Sequence, residues 1–190
     1  MNFLGHLYLA SLHQHSLLGS ILPDLCKPHD WKTLSGPIVA GCHMHQRVDR
    51  LTDAHPDFIA LKSTVTKERR RFSGIILDVT LDHYLAANWS QWHDRPLRAF
   101  ADACYEQLLV EVVDAPASAQ RVIQHMTQHD WLYHYRQVQG IAAAFEGLSR
   151  RFRFENPLAG SEQEWHSQSA LWAPAFEKIL GDIRVHDFTQ

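Results

Sequence analysis

Imidazole and carboxylate side chains recur one helical turn apart in segments of this chain that are otherwise apolar. Ile38 and Cys42 are followed at helical spacing by His45. Asp49 comes one turn later on the same helix face, which its apolar members predict to be buried. An ionised carboxylate is costly to bury without a partner. A His–Asp hydrogen bond or a bound divalent cation would each compensate, and the spacing leaves both interpretations open.

A second pair of carboxylates, Asp78 and Asp82, lies one turn apart in the more apolar segment GIILDVTLDHYLAANW. This segment contains no lysine or arginine that could neutralise them, and His83 stands next to Asp82. An acidic pair usually faces solvent, but the apolar neighbours disfavour exposure of both. A hard cation held by oxygen and imidazole ligands accounts for the pattern.

Two further residues are ambiguous when taken alone. Asp24 follows Pro23, where it could be an ordinary turn aspartate. His6 is either a core histidine with a satisfied hydrogen bond or a proton shuttle. The chain has 14 histidines in 190 residues, and a histidine pKa suits both metal ligation and proton transfer near neutral pH. Most of the fourteen are expected on solvated helix faces.

The composition and the absent motifs exclude several classes of protein. A net charge of −3 argues against a general nucleic-acid binder, which is normally strongly basic. Three cysteines without a pairing pattern predict no disulfide framework and favour a cytoplasmic location. The sequence has no uninterrupted apolar run of the ~18 residues that predict a membrane span. It also lacks a P-loop and a GxSxG elbow.

The elements that must position these residues are helices. Hydrophobic periodicity is helical almost throughout and predicts an all-α, single-domain helical bundle over residues 1–190. The chemistry-bearing segments are predicted as helices from about Pro37 to Leu51 and from Ile75 to about Trp89. Asp53 is expected to cap the helix that Pro56 starts. Pro174 is expected to break or kink the last helix.

Four spaced segments resemble the acyl carrier protein phosphodiesterase family. They are MNFLGHLYLA, GSILPDL, VAGCHMHQRVDRLTDAHP and GIILDVTLDHYLAANWSQW. The resemblance is dense from Met1 to Trp92 and thinner through Trp131–Arg136 and Ser149–Arg151. It implies an all-helical fold related to HD-type metal-dependent phosphohydrolases. It also implies hydrolysis of holo-acyl carrier protein to the apo form and 4′-phosphopantetheine, with Mn²⁺ or Mg²⁺ as cofactor.

The same resemblance implies roles for individual residues. His6 and Asp24 match single motif positions, His45, Asp49 and Asp53 match an HxxxDxxxD run, and Asp78, Asp82 and His83 match a DxxxDH run. The implied metal-site residues are Asp24, Asp78, Asp82 and His83, and the implied catalytic residues are His6, His45 and Asp49. His6 or His45 would donate a proton to the leaving serine oxygen, and Asp49 could instead orient His45.

Basic residues supply the expected docking surface for the acidic carrier protein. Two clusters, Lys67–Arg71 and Arg150–Arg153, are either ordinary cations near helix C-termini or such a surface. Arg47 or Arg69 could also stabilise negative charge on the transferred group. The expected partner-binding residues are Arg47, Arg69, Arg70, Arg71, Arg150 and Arg151.

Two other functions fit parts of the sequence. An HD-like metal phosphohydrolase acting on a nucleotide or a small phosphodiester would use the same inward residues. A non-enzymatic helical adaptor would keep the basic clusters but would not need Asp78 and Asp82 together on an apolar face.

Overall fold

Residues 1–188, described by a computed structural model, form eleven α-helices connected by loops and single-turn 3₁₀ segments. The helices are α1 (Phe3–Leu12), α2 (Leu17–Ile21), α3 (Pro28–Trp31), α4 (Gly36–Ala54), α5 (Pro56–Lys62), α6 (Ser73–Ala87), α7 (Leu97–Glu111), α8 (Ala117–Gln128), α9 (Trp131–His134), α10 (Val138–Arg151) and α11 (Glu162–Arg184). None of the described residues lies in a strand, so the prediction of an all-α fold is confirmed.

The apolar centre of the bundle is built on α1 and α6. Eight consecutive residues of α1, Phe3 to Ala10, are buried, and so are eight consecutive residues of α6, Val79 to Ala86. A helix that is hydrophobic all round belongs in the interior of a protein. The other long helices are amphipathic and bury narrower faces around this pair. The two central helices therefore carry His6, Asp78 and Asp82 into or beside the core.

The crossing of α2 over α4 depends on two glycines in direct backbone contact. A Cβ atom on Gly19 would lie 2.3 Å from the Ile38 carbonyl oxygen and 2.9 Å from the Cα of Gly41. Any side chain there would separate the two helices. The close approach brings the carbonyl oxygen of Ser20, on α2, to the imidazole of His45 on α4.

The predicted helices that carry acidic residues are present with small shifts at their ends. The helix predicted from Pro37 to Leu51 is α4 and runs from Gly36 to Ala54. The helix predicted from Ile75 to Trp89 is α6 and ends two residues earlier, at Ala87.

The prediction that Asp53 caps α5 is wrong, and of the break or kink predicted at Pro174 the break does not occur. Asp53 does not cap α5; its side chain pairs with Lys62, and the side chain of His55 accepts the hydrogen bond from Asp57 N instead. Pro174 does not break the last helix, because α11 continues on both sides of it. Proline removes one backbone hydrogen bond, and burial of Trp172 and Phe176 beside it holds the helix together across that loss.

Within residues 1–188, no helix is long and apolar enough to cross a membrane.

Candidate metal centre

Three donor groups from two helices converge beside the apolar centre. His6 comes from α1, and His45 and Asp49 come from successive turns of α4. His6 Nε2 lies 3.1 Å from Asp49 Oδ1, and His45 Nε2 lies 3.0 Å from Asp49 Oδ2. One donor atom from each residue lies within 4.8 Å of the others, so the three could hold a metal ion.

The backbone of α2 fixes which ring nitrogen of His45 faces this cluster. His45 Nδ1 lies 2.7 Å from the carbonyl oxygen of Ser20, and a carbonyl oxygen only accepts hydrogen bonds. Nδ1 must therefore carry the proton. The Nε2 atom then faces Asp49 and, at 3.6 Å, Asp24 Oδ1. A lone pair facing two carboxylates is unfavourable, so this nitrogen requires either a proton or a cation.

The ring of His6, unlike that of His45, is buried without a hydrogen bond to any described residue. Its ring is buried and stacks on His45 with 3.9 Å between ring centroids. Neither ring nitrogen has a hydrogen-bond partner among the described residues, since the approach to Asp49 lacks hydrogen-bond geometry. Burial and the neighbouring His45 lower the pKa of His6 to about 3. A buried neutral imidazole with unpaired nitrogens fits a metal ligand, because coordination would satisfy the lone pair that no protein donor reaches.

Charges around the cluster shift the other pKa values in opposite directions. Burial would lower the pKa of His45, but Asp49 and Asp24 outweigh it and the pKa is raised. Burial would raise the pKa of Asp49, but the hydrogen bond with His45 and the nearby ring of His6 outweigh it and the pKa is lowered. The carboxylate that the two imidazoles share therefore stays ionised.

Asp24 and Asp78 lie at the edge of this cluster. Asp24, in the 3₁₀ turn after α2, faces His45, and burial raises its pKa. Asp78, on α6, is 2.9 Å from the amino nitrogen of Met1, which also lies 3.4 Å from Asp49. Burial raises the pKa of Asp78 although the Met1 ammonium acts against it. The carboxylates are partly exposed while His6 and His45 are buried, so the cluster opens to solvent on its acidic side.

Asp82 lies deeper and contacts backbone. It is completely buried, and its two oxygens accept hydrogen bonds from Leu4 N at 2.7 Å and Gly5 N at 3.0 Å. These are orphan amides of the first turn of α1, where Asn2 provides no side-chain cap. Burial raises the pKa of Asp82 to about 7 despite these hydrogen bonds and the Met1 ammonium. The structure thus uses Asp82 as a remote cap for α1.

His83 points to another part of the molecule. Its Nδ1 donates to the carbonyl oxygen of Tyr135 at 2.7 Å, and its ring packs edge-on against Trp165. Of the four residues predicted to bind metal, Asp24 and Asp78 border the three-donor cluster, whereas the contacts of Asp82 and His83 are with backbone and core. The assignment of these four residues as metal ligands stays a prediction.

The arginines that were predicted to bind the partner protein fall into two groups by their contacts. Arg69 donates to the carbonyl oxygen of Pro157 and lies near the buried Glu164, and Arg70 donates to the carbonyl oxygen of Val65. Arg71 lies over the ring of Phe154. These contacts hold the segment before α6 to its neighbours.

Arg47, Arg150 and Arg151 border cavities. Arg47 approaches His186 and Phe188 and lines a cavity of about 430 Å³. Arg150 and Arg151 line a larger cavity of about 780 Å³, which also reaches Asn2 and Phe3. The larger cavity is therefore next to the chain start that meets Asp78.

Sequence reasoning missed the contribution of chain segments without acidic residues. Ser20 is named in no motif by its chemistry, yet its carbonyl oxygen sets the tautomer of His45. The Met1 amino group meets Asp78 and Asp49. A backbone group carries no residue-type signal, so only the packing of α2 on α4 and of α1 on α6 identifies these partners.

Comparisons with known proteins agree with the resemblance seen in the sequence. The family model for acyl carrier protein phosphodiesterase matches residues 1–183. A protein named acyl carrier protein phosphodiesterase from Pectobacterium atrosepticum is 34% identical over 185 residues, covering 95% of this chain and 96% of its own length. Similarly named proteins from Escherichia coli O157:H7 and Photorhabdus laumondii are 35% and 34% identical. They cover 91% and 99% of this chain, and 89% and 98% of their own lengths.

No solved structure is a significant match to this chain. The match over residues 1–183 includes every residue of the three-donor cluster, and the relatives extend over nearly their full lengths. The chain belongs to the acyl carrier protein phosphodiesterase family.

Proposed function

We propose that this protein is a metal-dependent phosphodiesterase that hydrolyses holo-acyl carrier protein to apo-acyl carrier protein and 4′-phosphopantetheine. The observation that carries the proposal is the convergence of His6, His45 and Asp49, with unpaired nitrogens on His6, in a chain of this family. A structural adaptor would gain nothing from burying an imidazole whose nitrogens make no hydrogen bonds.

His6, His45 and Asp49 are the residues that would hold the metal ion. Two imidazoles and a carboxylate suit Mn²⁺ better than Mg²⁺, because Mg²⁺ strongly prefers oxygen ligands. A bound divalent ion would supply Lewis-acid polarisation of the phosphoryl oxygens and a water of lowered pKa. The Ser20 carbonyl supports this role by keeping the proton of His45 on Nδ1 and leaving Nε2 for the ion.

The proton for the departing serine oxygen must then come from another group. With both imidazoles in the donor set, Asp24 is the best-placed carrier. It lies at the partly exposed edge of the cluster, with Oδ1 3.6 Å from His45 Nε2, so it can exchange a proton both with solvent and with a group bound there. This assigns Asp24 to proton transfer and His6 and His45 to holding the metal.

The test measures the mass of holo-carrier protein after incubation with Mn²⁺ and, separately, the calorimetric affinity of each variant for Mn²⁺. Wild type should remove the phosphopantetheine mass. Asp49→Ala should lose both Mn²⁺ binding and turnover, whereas Asp24→Ala should lose turnover and keep Mn²⁺ binding.

Asp102→Asn, a half-exposed partner of Arg98 on α7, is the matched control and should behave as wild type. A wild-type protein that leaves the holo-carrier mass unchanged while hydrolysing free nucleotides would overturn the proposed substrate. Retention of Mn²⁺ binding in Asp49→Ala would overturn the proposed donor set.

A further inference from the structure

A large cavity lies beside the candidate metal centre and is not part of it. Its volume is about 780 Å³, within the roughly 300–1,000 Å³ of sites that bind small organic ligands. Its walls come from α8, α9, α10 and the residues that open α1. The cavity is therefore large enough for an extended organic group.

One helix face explains why this space stays open. Gly140, Ala143, Ala144 and Gly147 follow at i, i+3, i+4 and i+7 along α10, and all line the cavity. These spacings lie on a single helix face, and none of the four side chains is larger than a methyl group. The facing wall carries Phe3 and Trp131, whose rings stack 6.1 Å apart between centroids.

The lining combines apolar side chains with polar ones, among them three histidines, His125, His129 and His134. The amides of Asn2, Gln137 and Gln139 face the cavity, and amide side chains can both donate and accept hydrogen bonds. The charged groups Arg150 and Arg151 lie at the C-terminal end of α10 and are exposed. This chemistry matches a long, uncharged chain that contains amides and branched alkyl groups.

The cavity and the metal centre share a wall. Asn2 and Phe3 directly follow Met1, whose amino nitrogen is 2.9 Å from Asp78. Tyr135, another lining residue, accepts a hydrogen bond from Asn2 on its hydroxyl at 2.9 Å. The residue that contacts Asp78 and the residues that line the cavity are therefore consecutive in the chain.

We propose that this cavity receives the pantetheine arm of the substrate, with the phosphate at the metal centre. The assignment rests on the proposed function. The arm is uncharged, carries two amides and a dimethyl carbon, and ends in a thiol, so it matches the amide side chains and the apolar wall. A nucleotide in the same place would put its ribose and base against this wall.

Gly147 allows the cavity to be filled without disturbing the packing around it. A Cβ atom at Gly147 would meet no heavy atom within 4 Å, and replacing a helical glycine by leucine favours the helix. Gly181, on α11, has the same free space around its Cβ and lines neither cavity. Gly147→Leu and Gly181→Leu are thus a matched pair.

The experiment compares Mn²⁺-dependent kcat/KM on holo-carrier protein and on bis(4-nitrophenyl) phosphate, which has no arm. Gly147→Leu should lower kcat/KM for holo-carrier protein by at least about tenfold and leave the small diester unaffected. Gly181→Leu should match wild type on both. Equal loss on both substrates, or no loss on holo-carrier protein, would overturn the assignment.

A calorimetric titration with pantetheine, which lacks the phosphate, separates this inference from the proposed function. Binding to wild type and Gly181→Leu, with loss in Gly147→Leu, supports the cavity even if wild type does not cleave holo-carrier protein. Equal binding to all three proteins would overturn the cavity assignment while turnover by wild type still supported the proposed function.

Discussion

At the scale of single residues, the two histidines of the cluster differ because their rings meet different neighbours. His45 is anchored through Nδ1 to Ser20, and Asp49 and Asp24 raise its pKa against the effect of burial. His6 has no such anchor, and burial keeps it neutral. Two rings stacked at 3.9 Å therefore have opposite proton preferences, which avoids two adjacent imidazolium charges.

The depressed pKa of His6 predicts a pH dependence of stability for the metal-free protein. The native pKa is about 3, below its ordinary value of 6.5, so between these values the unfolded chain binds a proton that the native state does not. The contribution of His6 to the free energy of unfolding should be fully present above pH 6.5. It should decrease as the pH drops, by up to about 1.4 kcal/mol per pH unit.

Urea unfolding at several pH values in the presence of EDTA measures how the free energy of unfolding changes with pH. His6→Gln should make this dependence weaker between pH 6 and pH 4. His29→Gln, which changes a histidine whose side chain is 76% exposed, should leave it as in wild type. Identical slopes for wild type and His6→Gln would contradict the prediction.

At the scale of helices, α1 depends on a carboxylate from another helix. Asp82, on α6, accepts the hydrogen bonds of Leu4 N and Gly5 N, and the side chain of Asn2 makes no capping bond. The capping aspartate is 78 positions away in sequence from Leu4. The pairing couples the two central helices and places His6 one residue beyond the capped turn.

Asp82→Ala should therefore destabilise the fold as well as the site. It leaves two buried N–H groups without acceptors, at a cost of about 1–3 kcal/mol for each. Thermal unfolding should show a clearly lower Tm for Asp82→Ala and a smaller decrease for Asp82→Asn, which keeps one acceptor oxygen. A Tm for Asp82→Ala equal to that of wild type would show that the cap is dispensable.

Substitution of Gly19 should destabilise the crossing of α2 and α4. In Gly19→Ala the new methyl group would lie 2.3 Å from the Ile38 carbonyl oxygen, and a backbone atom cannot move aside as a side chain can. Overpacking of this kind typically costs about 1–3 kcal/mol. Since the crossing also positions Ser20 against His45, Mn²⁺ affinity should fall together with stability.

Gly36→Ala, at the start of α4 where a Cβ meets nothing within 4 Å, is the control for Gly19→Ala. Denaturant unfolding and Mn²⁺ calorimetry on both variants check the prediction. Wild-type stability of Gly19→Ala would mean that the two helices can separate at little cost.

At the scale of the whole molecule, basic side chains are not evenly available for a partner. Arg69 and Arg70 donate to backbone carbonyls of the protein itself. Arg150 and Arg151 end α10 beside the larger cavity; Arg150 pairs with Glu146 one turn earlier but is still 75% exposed. An acidic carrier protein that inserts its prosthetic group near this cavity would meet Arg150 and Arg151 before Arg69 and Arg70.

The double variant Arg150→Ala/Arg151→Ala should raise KM for holo-carrier protein several-fold with little change in kcat. The effect should shrink as salt is added, because screening weakens attraction between exposed charges. Steady-state kinetics at two ionic strengths measures this. Lys178→Ala, a surface change on α11, should not alter KM, and an unchanged KM in the double variant would remove these arginines from the docking surface.

Hydrophobic periodicity is a local property, so it was enough to predict that the chain is helical and that α4 and α6 carry acidic residues toward the interior. The sequence also predicted His45 and Asp49 as a pair, since they are one turn apart on the same helix. It could not determine that His6, from α1, would complete the cluster, because that depends on which helices pack together.

The different roles of the adjacent residues Asp82 and His83 became clear from the tertiary structure alone. Consecutive residues point about 100° apart around a helix, so these neighbours face different surroundings. Asp82 meets the first amides of α1, and His83 meets Tyr135 and Trp165. Local spacing fixes the face on which a side chain lies, but the partner opposite that face is set by the packing of helices distant in sequence.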